Sequence, residues 1–139
     1  MKKILLLGAV CCMLSADVKT VNISPDEIKK YDQIIDIRTP SEWQETGVIA
    51  GAKTITFNPN DKSAFLEELS KAVDVKKPIA LVCRSGRRST AAAAAIDSSD
   101  LKIINLDGGM SSLIEQGYKT TPVSYTHLTL PTNREVEIS

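Results

Sequence analysis

Residues 78–96 read PIALVCRSGRRSTAAAAAI: an apolar run, one cysteine, a turn holding three arginines and a glycine, then a run of strong helix formers. Apolar residues at 78–82 with no alternation fit a strand buried on both faces, and the alanines from Ala91 to Ala95 fit a helix packed close against a sheet. A buried strand that passes through a short loop into a helix is half of a β-α-β unit. The rest of the chain supplies more of the same.

Working outward, 102–106 (KIINL) is a second strand, followed by the helical stretch 108–117, which ends on Gly117. Towards the N-terminus, 61–73 (DKSAFLEELSKAV) places Phe65, Leu66, Leu69 and Val73 on one helical face, and 52–57 (AKTITF) is a strand. Before these, 39–47 is a short helix opened by Thr39 or Ser41 and closed by Gly47, and 33–37 (QIIDI) is a buried strand. The first strand, 18–23 (VKTVNI), leads into a helix with Ser24 as N-cap and Pro25 at its first position. Strands alternating with helices predict an α/β fold: an open parallel sheet with helices on both faces. No repeat, low-complexity tract or internal linker interrupts the pattern.

With 139 residues, 42% of them hydrophobic, there is room for one ordinary domain with a real core. Lys plus Arg and Asp plus Glu both number 17, so there is no overall field to draw nucleic acid or an anionic membrane, and no nucleic-acid partner is expected.

The two ends read differently from the middle. Residues 1–16 carry two lysines, an apolar run from Ile4 to about Leu14, and small residues at Ser15 and Ala16. This is the pattern of a secretory signal peptide cleaved after Ala16, and the run is shorter than the roughly 20 residues needed to span a bilayer. The expectation is an exported or periplasmic protein with no stable membrane span after processing. A lipoprotein signal acylated at Cys11 or Cys12 is the alternative. On either reading Cys83 is the thiol left free in the domain, a candidate reactive group. At the other end, 123–139 lacks apolar periodicity, and VSYTHLTLPT back-translates to a base string resembling a transposon-end sequencing adapter. The domain is therefore expected over 17–122, with 123–139 a non-native tail that also carries His127, the one histidine.

Ligands of open α/β sheets bind outside the carboxyl ends of the strands. Asp36, Cys83 and Asp107 stand at three such ends and are expected to open towards one rim. The loop Cys83-Arg84-Ser85-Gly86-Arg87-Arg88-Ser89 runs from strand end to helix start, so a thiolate there faces unpaired amides and the positive end of the helix dipole. Arg84, Arg87 and Arg88 add charge and forked donors, and Gly86 permits a turn that aims amides inwards. Each feature favours the thiolate, so Cys83 is the expected nucleophile, with Arg84 to Ser89 holding an anionic substrate. Cations oppose the dipole of a helix N-terminus, so stability alone does not account for three arginines there.

Three ordered segments then resemble a known family. IIDIRTPSEW with GVIAGAKTI, LVCRSGRRS, and NLDGGMSSLIEQGY are similar to the successive motifs of single-domain rhodaneses of the exported bacterial type, over about Val21 to Tyr118. The six-residue loop from Cys83 to Arg88 has the family's active-site length, with Arg84 and Gly86 in place. Val48 stands where the family often has a histidine that marks the fold more than the chemistry.

The resemblance implies sulfur transfer. The Cys83 thiolate would take the sulfane sulfur of thiosulfate or a similar small anionic donor and pass it to a thiophilic acceptor such as cyanide or a thiol, with no metal or organic cofactor. It also matches Asp36, Arg38 and Glu42 to family positions. Here Arg38 and Glu42 are expected to form a structural ion pair, Trp43 to lie in the core, and Asp107 with Gly108 and Gly109 to shape the pocket rim. Two rival readings are a cysteine phosphatase or arsenate reductase and a non-catalytic persulfide carrier. The first uses a loop with five residues between Cys and Arg, where this chain has four.

Overall fold

The computed structural model describes residues 17–96 and 101–123. Residues 1–16, read above as a signal peptide, and all of the tail after Val123 lie outside the described residues. Five strands form one parallel sheet: β1 (Asp17–Asn22), β2 (Ile34–Asp36), β3 (Lys53–Thr54), β4 (Ile79–Val82) and β5 (Lys102–Asp107), in the order β1-β5-β4-β2-β3. Five helices connect or follow them: α1 (Pro25–Ile28), α2 (Pro40–Thr46), α3 (Lys62–Ala72), α4 (Arg87–Ala95) and α5 (Gly109–Glu115).

The central strand is β4, and its four residues are fully buried, as a strand covered on both faces requires. Pleating sends its side chains alternately to two cores. Ile79 and Leu81 join Ile35 and Ile103 beneath Phe65 and Leu69 of α3 and Ala92 and Ala93 of α4. Ala80 and Val82 join Ile34 and Leu106 against Ile28 of α1 and Met110 and Leu113 of α5. The alanine run thus brings α4 close to the sheet. Helices on both faces of an open parallel sheet are what the sequence pattern implies.

The local signals act where expected. Ser24 caps α1 by accepting from the Glu27 amide, and Thr39 opens α2 with a capping box that Glu42 completes. The segment 52–57 is shorter as a strand than its composition implies, because β3 is an edge. Only Lys53 and Thr54 are in ladder register, although the Ile55 and Phe57 amides still donate to the Asp36 and Ile37 carbonyls at 3.1 Å. Beyond α5 the chain returns to pair Thr121 with Val48 in an antiparallel bridge. Among the described residues, no helix is long and apolar enough to cross a membrane.

Candidate active site

Cys83 follows β4 directly, so the central, fully buried strand of the sheet sets its position. By pleat parity it points with Ile79 and Leu81 to the α4 face and is 1% exposed. Its sulfur accepts from the Gly86 amide at 3.0 Å and the Ser89 amide at 3.3 Å. Gly86 makes this possible: it caps α4 at φ 101°, a left-handed conformation that turns its N–H towards the sulfur. The loop is also held from outside. Met110 and Ser111 at the start of α5 donate their amides to the Cys83 and Arg84 carbonyls at 2.8 and 2.9 Å. Gly109 lies so close that an added Cβ would sit 2.5 Å from the Cys83 and Arg84 carbonyl oxygens.

Two aimed amides at the start of a helix form a small anion hole centred on one sulfur atom, suited to a thiolate or to a sulfur anion one bond further out. Arg84, Ser85 and Arg87 are exposed on the loop. Arg88 is not free: its two terminal nitrogens grip Glu42 of α2, Nη1 to Oε1 at 2.8 Å and Nη2 to Oε2 at 2.7 Å. This fork holds the Glu42 carboxyl well below its usual range, at about 2, and pushes Arg88 up. A cleft of about 150 Å³ adjoins the loop between α2 and α5, lined by Arg84, Arg38, Glu42, Glu45, Met110 and Ile114 among others. A larger hollow of about 600 Å³, bounded by Ile28, Tyr31, Ile49 and Tyr118, lies far from the thiol chemistry, against α1.

Two expectations need correction. Arg38 does not pair with Glu42. It folds back onto Asp36, Nη2 to Oδ2 at 2.8 Å, and its remaining donors reach the Gly47 carbonyl and the Thr46 hydroxyl at 2.9 Å. Arg38 precedes the N-cap, so the helical four-residue spacing that would align it with Glu42 does not apply. Nor does Asp36 open to the rim. It is in register with Val82, which points to the opposite face from Cys83, and it is 0% exposed, bound by Arg38 and by the Trp43 indole N–H at 3.1 Å. Asp36, Arg38 and Trp43 therefore form a buried structural cluster tying α2 to the end of β2. Asp107 is exposed on the cysteine's side, and its Oδ1 lies 2.7 Å from where a Gly86 Cβ would be, so it packs against the turn at Gly86.

Sequence reasoning named Ser89 in the loop but missed Asn105 and the network that binds the Ser89 hydroxyl. Ser89 is fully buried, and its hydroxyl lies 2.6 Å from Asn105 Oδ1 on β5, 3.1 Å from the Gly86 carbonyl and 3.6 Å from the Cys83 sulfur. Asn105 Nδ2 reaches Thr90 Oγ1 at 2.9 Å and Thr20 Oγ1 at 3.4 Å. Nothing in the sequence marks Asn105 beyond its being polar in a buried strand, itself a signal that something there must bind it. Among the described residues no cluster of three His, Cys, Asp or Glu side chains could hold a metal ion.

A six-residue loop from Cys83 to Arg88, set between the central strand of a parallel sheet and a helix, defines a cysteine-based α/β anion-loop protein. Comparison with known proteins narrows this class. Residues 23–116 match the rhodanese-like domain, and the chain belongs to that family. Among solved structures it is similar to a rhodanese-related protein from Thermoplasma volcanium, with 28% identity and TM-score 0.55, over 70% of this chain and 93% of that one. A rhodanese-like domain protein from Staphylococcus aureus shares the fold at TM-score 0.56 and 24% identity, over 74% and 98% of the two chains. Reduced CoADR-RHD from Bacillus anthracis matches at TM-score 0.52 and 25% identity, over 67% of this chain but only 16% of that longer one. No curated protein matches the sequence.

Proposed function

We propose that this protein is a sulfurtransferase in which Cys83 carries the transferred sulfur as a persulfide. The observation that carries this reading is the pair of amides, Gly86 and Ser89, aimed at the Cys83 sulfur at 3.0 and 3.3 Å. The Cys83 thiolate attacks the outer sulfur of thiosulfate; a sulfur–sulfur bond to Cys83 forms, the bond to the sulfonate group breaks, and sulfite leaves with the electron pair. Charge is conserved, since the thiolate becomes a persulfide anion. A thiophilic acceptor then attacks the outer sulfur and restores the thiolate; with cyanide the product is thiocyanate. The exposed Arg84 and Arg87 steer and hold the sulfonate, and the loop amides meet the negative charge as it moves. No cofactor enters these steps. The signal-like residues 1–16 support export, and with it a donor and an acceptor in the cell envelope.

The loop length favours sulfur over phosphate. Four residues between Cys83 and Arg88 leave a smaller ring than phosphatase chemistry uses, and the Arg88 fork is taken up by Glu42. The burial of Cys83 favours a second reading, a carrier that yields its sulfur to one protein partner more readily than to a small molecule. Steady-state thiocyanate formation from thiosulfate and cyanide tests the proposal. Efficient turnover supports the enzyme, whereas loading without turnover supports the carrier. Faster hydrolysis of an aryl phosphate than loading from thiosulfate would overturn both.

A further inference from the structure

The hydroxyl of Ser89 has one proton, which it can donate to Asn105 Oδ1 or to the Gly86 carbonyl, and its oxygen accepts from the Cys83 sulfur at 3.6 Å; a Cys83 thiolate would be a third acceptor. The surrounding network decides where that proton goes. Thr90 Oγ1 donates to the Gly86 carbonyl at 2.8 Å, so it can only accept from Asn105 Nδ2. With its amide nitrogen turned to Thr90 and Thr20, Asn105 presents Oδ1 to Ser89 at 2.6 Å, the shortest of the three contacts. The Ser89 proton therefore lies on the Asn105 side, and the oxygen turns a lone pair towards Cys83 Sγ. Moving the proton to the sulfur would leave the Asn105 oxygen, in a side chain 2% exposed, without its donor.

We infer that Asn105 is a positioning residue that holds the Ser89 proton away from the Cys83 sulfur and so restrains the sulfur's nucleophilicity. Register puts it there: Asn105 lies between Thr20 of β1 and Leu81 of β4, on the sheet face that also carries Cys83 and α4. The charged groups around the thiol belong to other positions. They are Arg88 with Glu42 of α2, Arg84 and Arg87 on the exposed side of the loop, Asp107 at the end of β5, and the Asp36–Arg38 pair on the opposite face. Substitution of Asn105 removes none of them. The inference concerns the thiol itself and stands whether or not Cys83 carries sulfur.

The test is the rate at which iodoacetamide alkylates Cys83 across pH, followed by peptide mass so that Cys11 and Cys12 are scored separately. Asn105→Leu keeps the side chain's approximate shape and removes the acceptor. It should label Cys83 roughly three- to tenfold faster at pH 7, the worth of one hydroxyl hydrogen bond gained by a thiolate, with the rate–pH curve moved to lower pH. Ser89→Ala should label at least as fast as the unaltered protein. The double variant should behave like Ser89→Ala alone, since Asn105 acts only through the hydroxyl. An Asn105→Leu protein with an unaltered melt and unchanged or slower labelling would overturn the inference. If Asn105→Leu does not fold, Ser89→Ala decides alone: slower labelling means the hydroxyl already donates to sulfur and the inference fails, while equal or faster labelling upholds it.

Discussion

Replacing Glu42 with Gln isolates the charge pair that links α2 to the cysteine loop. Gln also serves at the third position of a capping box, so the Thr39 contacts survive, while the negative charge and one of the two acceptors facing Arg88 are lost. A carboxyl brought from the ordinary range to about 2 corresponds to roughly 3 kcal/mol at about 1.4 kcal/mol per unit. The Arg88 side chain is 37% exposed, and solvent screening reduces this to about 1–2 kcal/mol. For a domain of this size that is a fall in Tm of roughly 5–10 °C at pH 7.

The pH dependence has a definite sign. A carboxyl depressed in the folded state stabilises fully above its unfolded value, near 4.5, and loses that contribution as pH falls through about 2. Thermal or urea unfolding of both proteins between pH 7 and pH 2 should therefore show a gap that is constant above about pH 5 and closes below it. A Glu42→Gln protein as stable as the unaltered one at pH 7, or a gap that does not narrow in acid, would refute the reasoning.

Other substitutions test the frame that holds the loop. Asp36→Asn leaves the guanidinium of Arg38, 1% exposed, without its countercharge and should cost about 3–5 kcal/mol in urea unfolding; a loss under 1 kcal/mol would contradict the buried cluster. Gly109→Ala places a methyl 2.5 Å from the Cys83 and Arg84 carbonyl oxygens at φ 63°, so it should destabilise by about 2 kcal/mol or more and abolish sulfur loading. A Gly109→Ala protein that melts normally and still loads sulfur would show that the loop has room to move.

Much of the frame was legible in 78–96, because an unbroken apolar run before a Gly-containing turn and an alanine helix has few other solutions. The cysteine, the glycine that aims its amide and the caps at Ser24 and Thr39 are local, and local chemistry is written in neighbouring residues. What was not legible depended on which strands lie side by side. Sequence gives each strand's alternation but not its register, so Asp36 was expected at the rim with Cys83 although pairing with Val82 turns it to the other face. Glu42 meets Arg88 across 46 positions of sequence, and Asn105 meets Ser89 across 16. Such contacts follow only from the order β1-β5-β4-β2-β3, which places β5 and β2 on the two sides of the cysteine strand.

The central claim is that Cys83 carries sulfur, and intact mass measures it directly. After incubation with thiosulfate and removal of excess reagent, the protein should gain the mass of one sulfur atom, lose it on treatment with cyanide or a thiol reductant, and show no gain as Cys83→Ala. A Cys83→Ala protein that still gains sulfur, or an unaltered protein that gains none from thiosulfate or any other sulfane sulfur donor, would contradict the account.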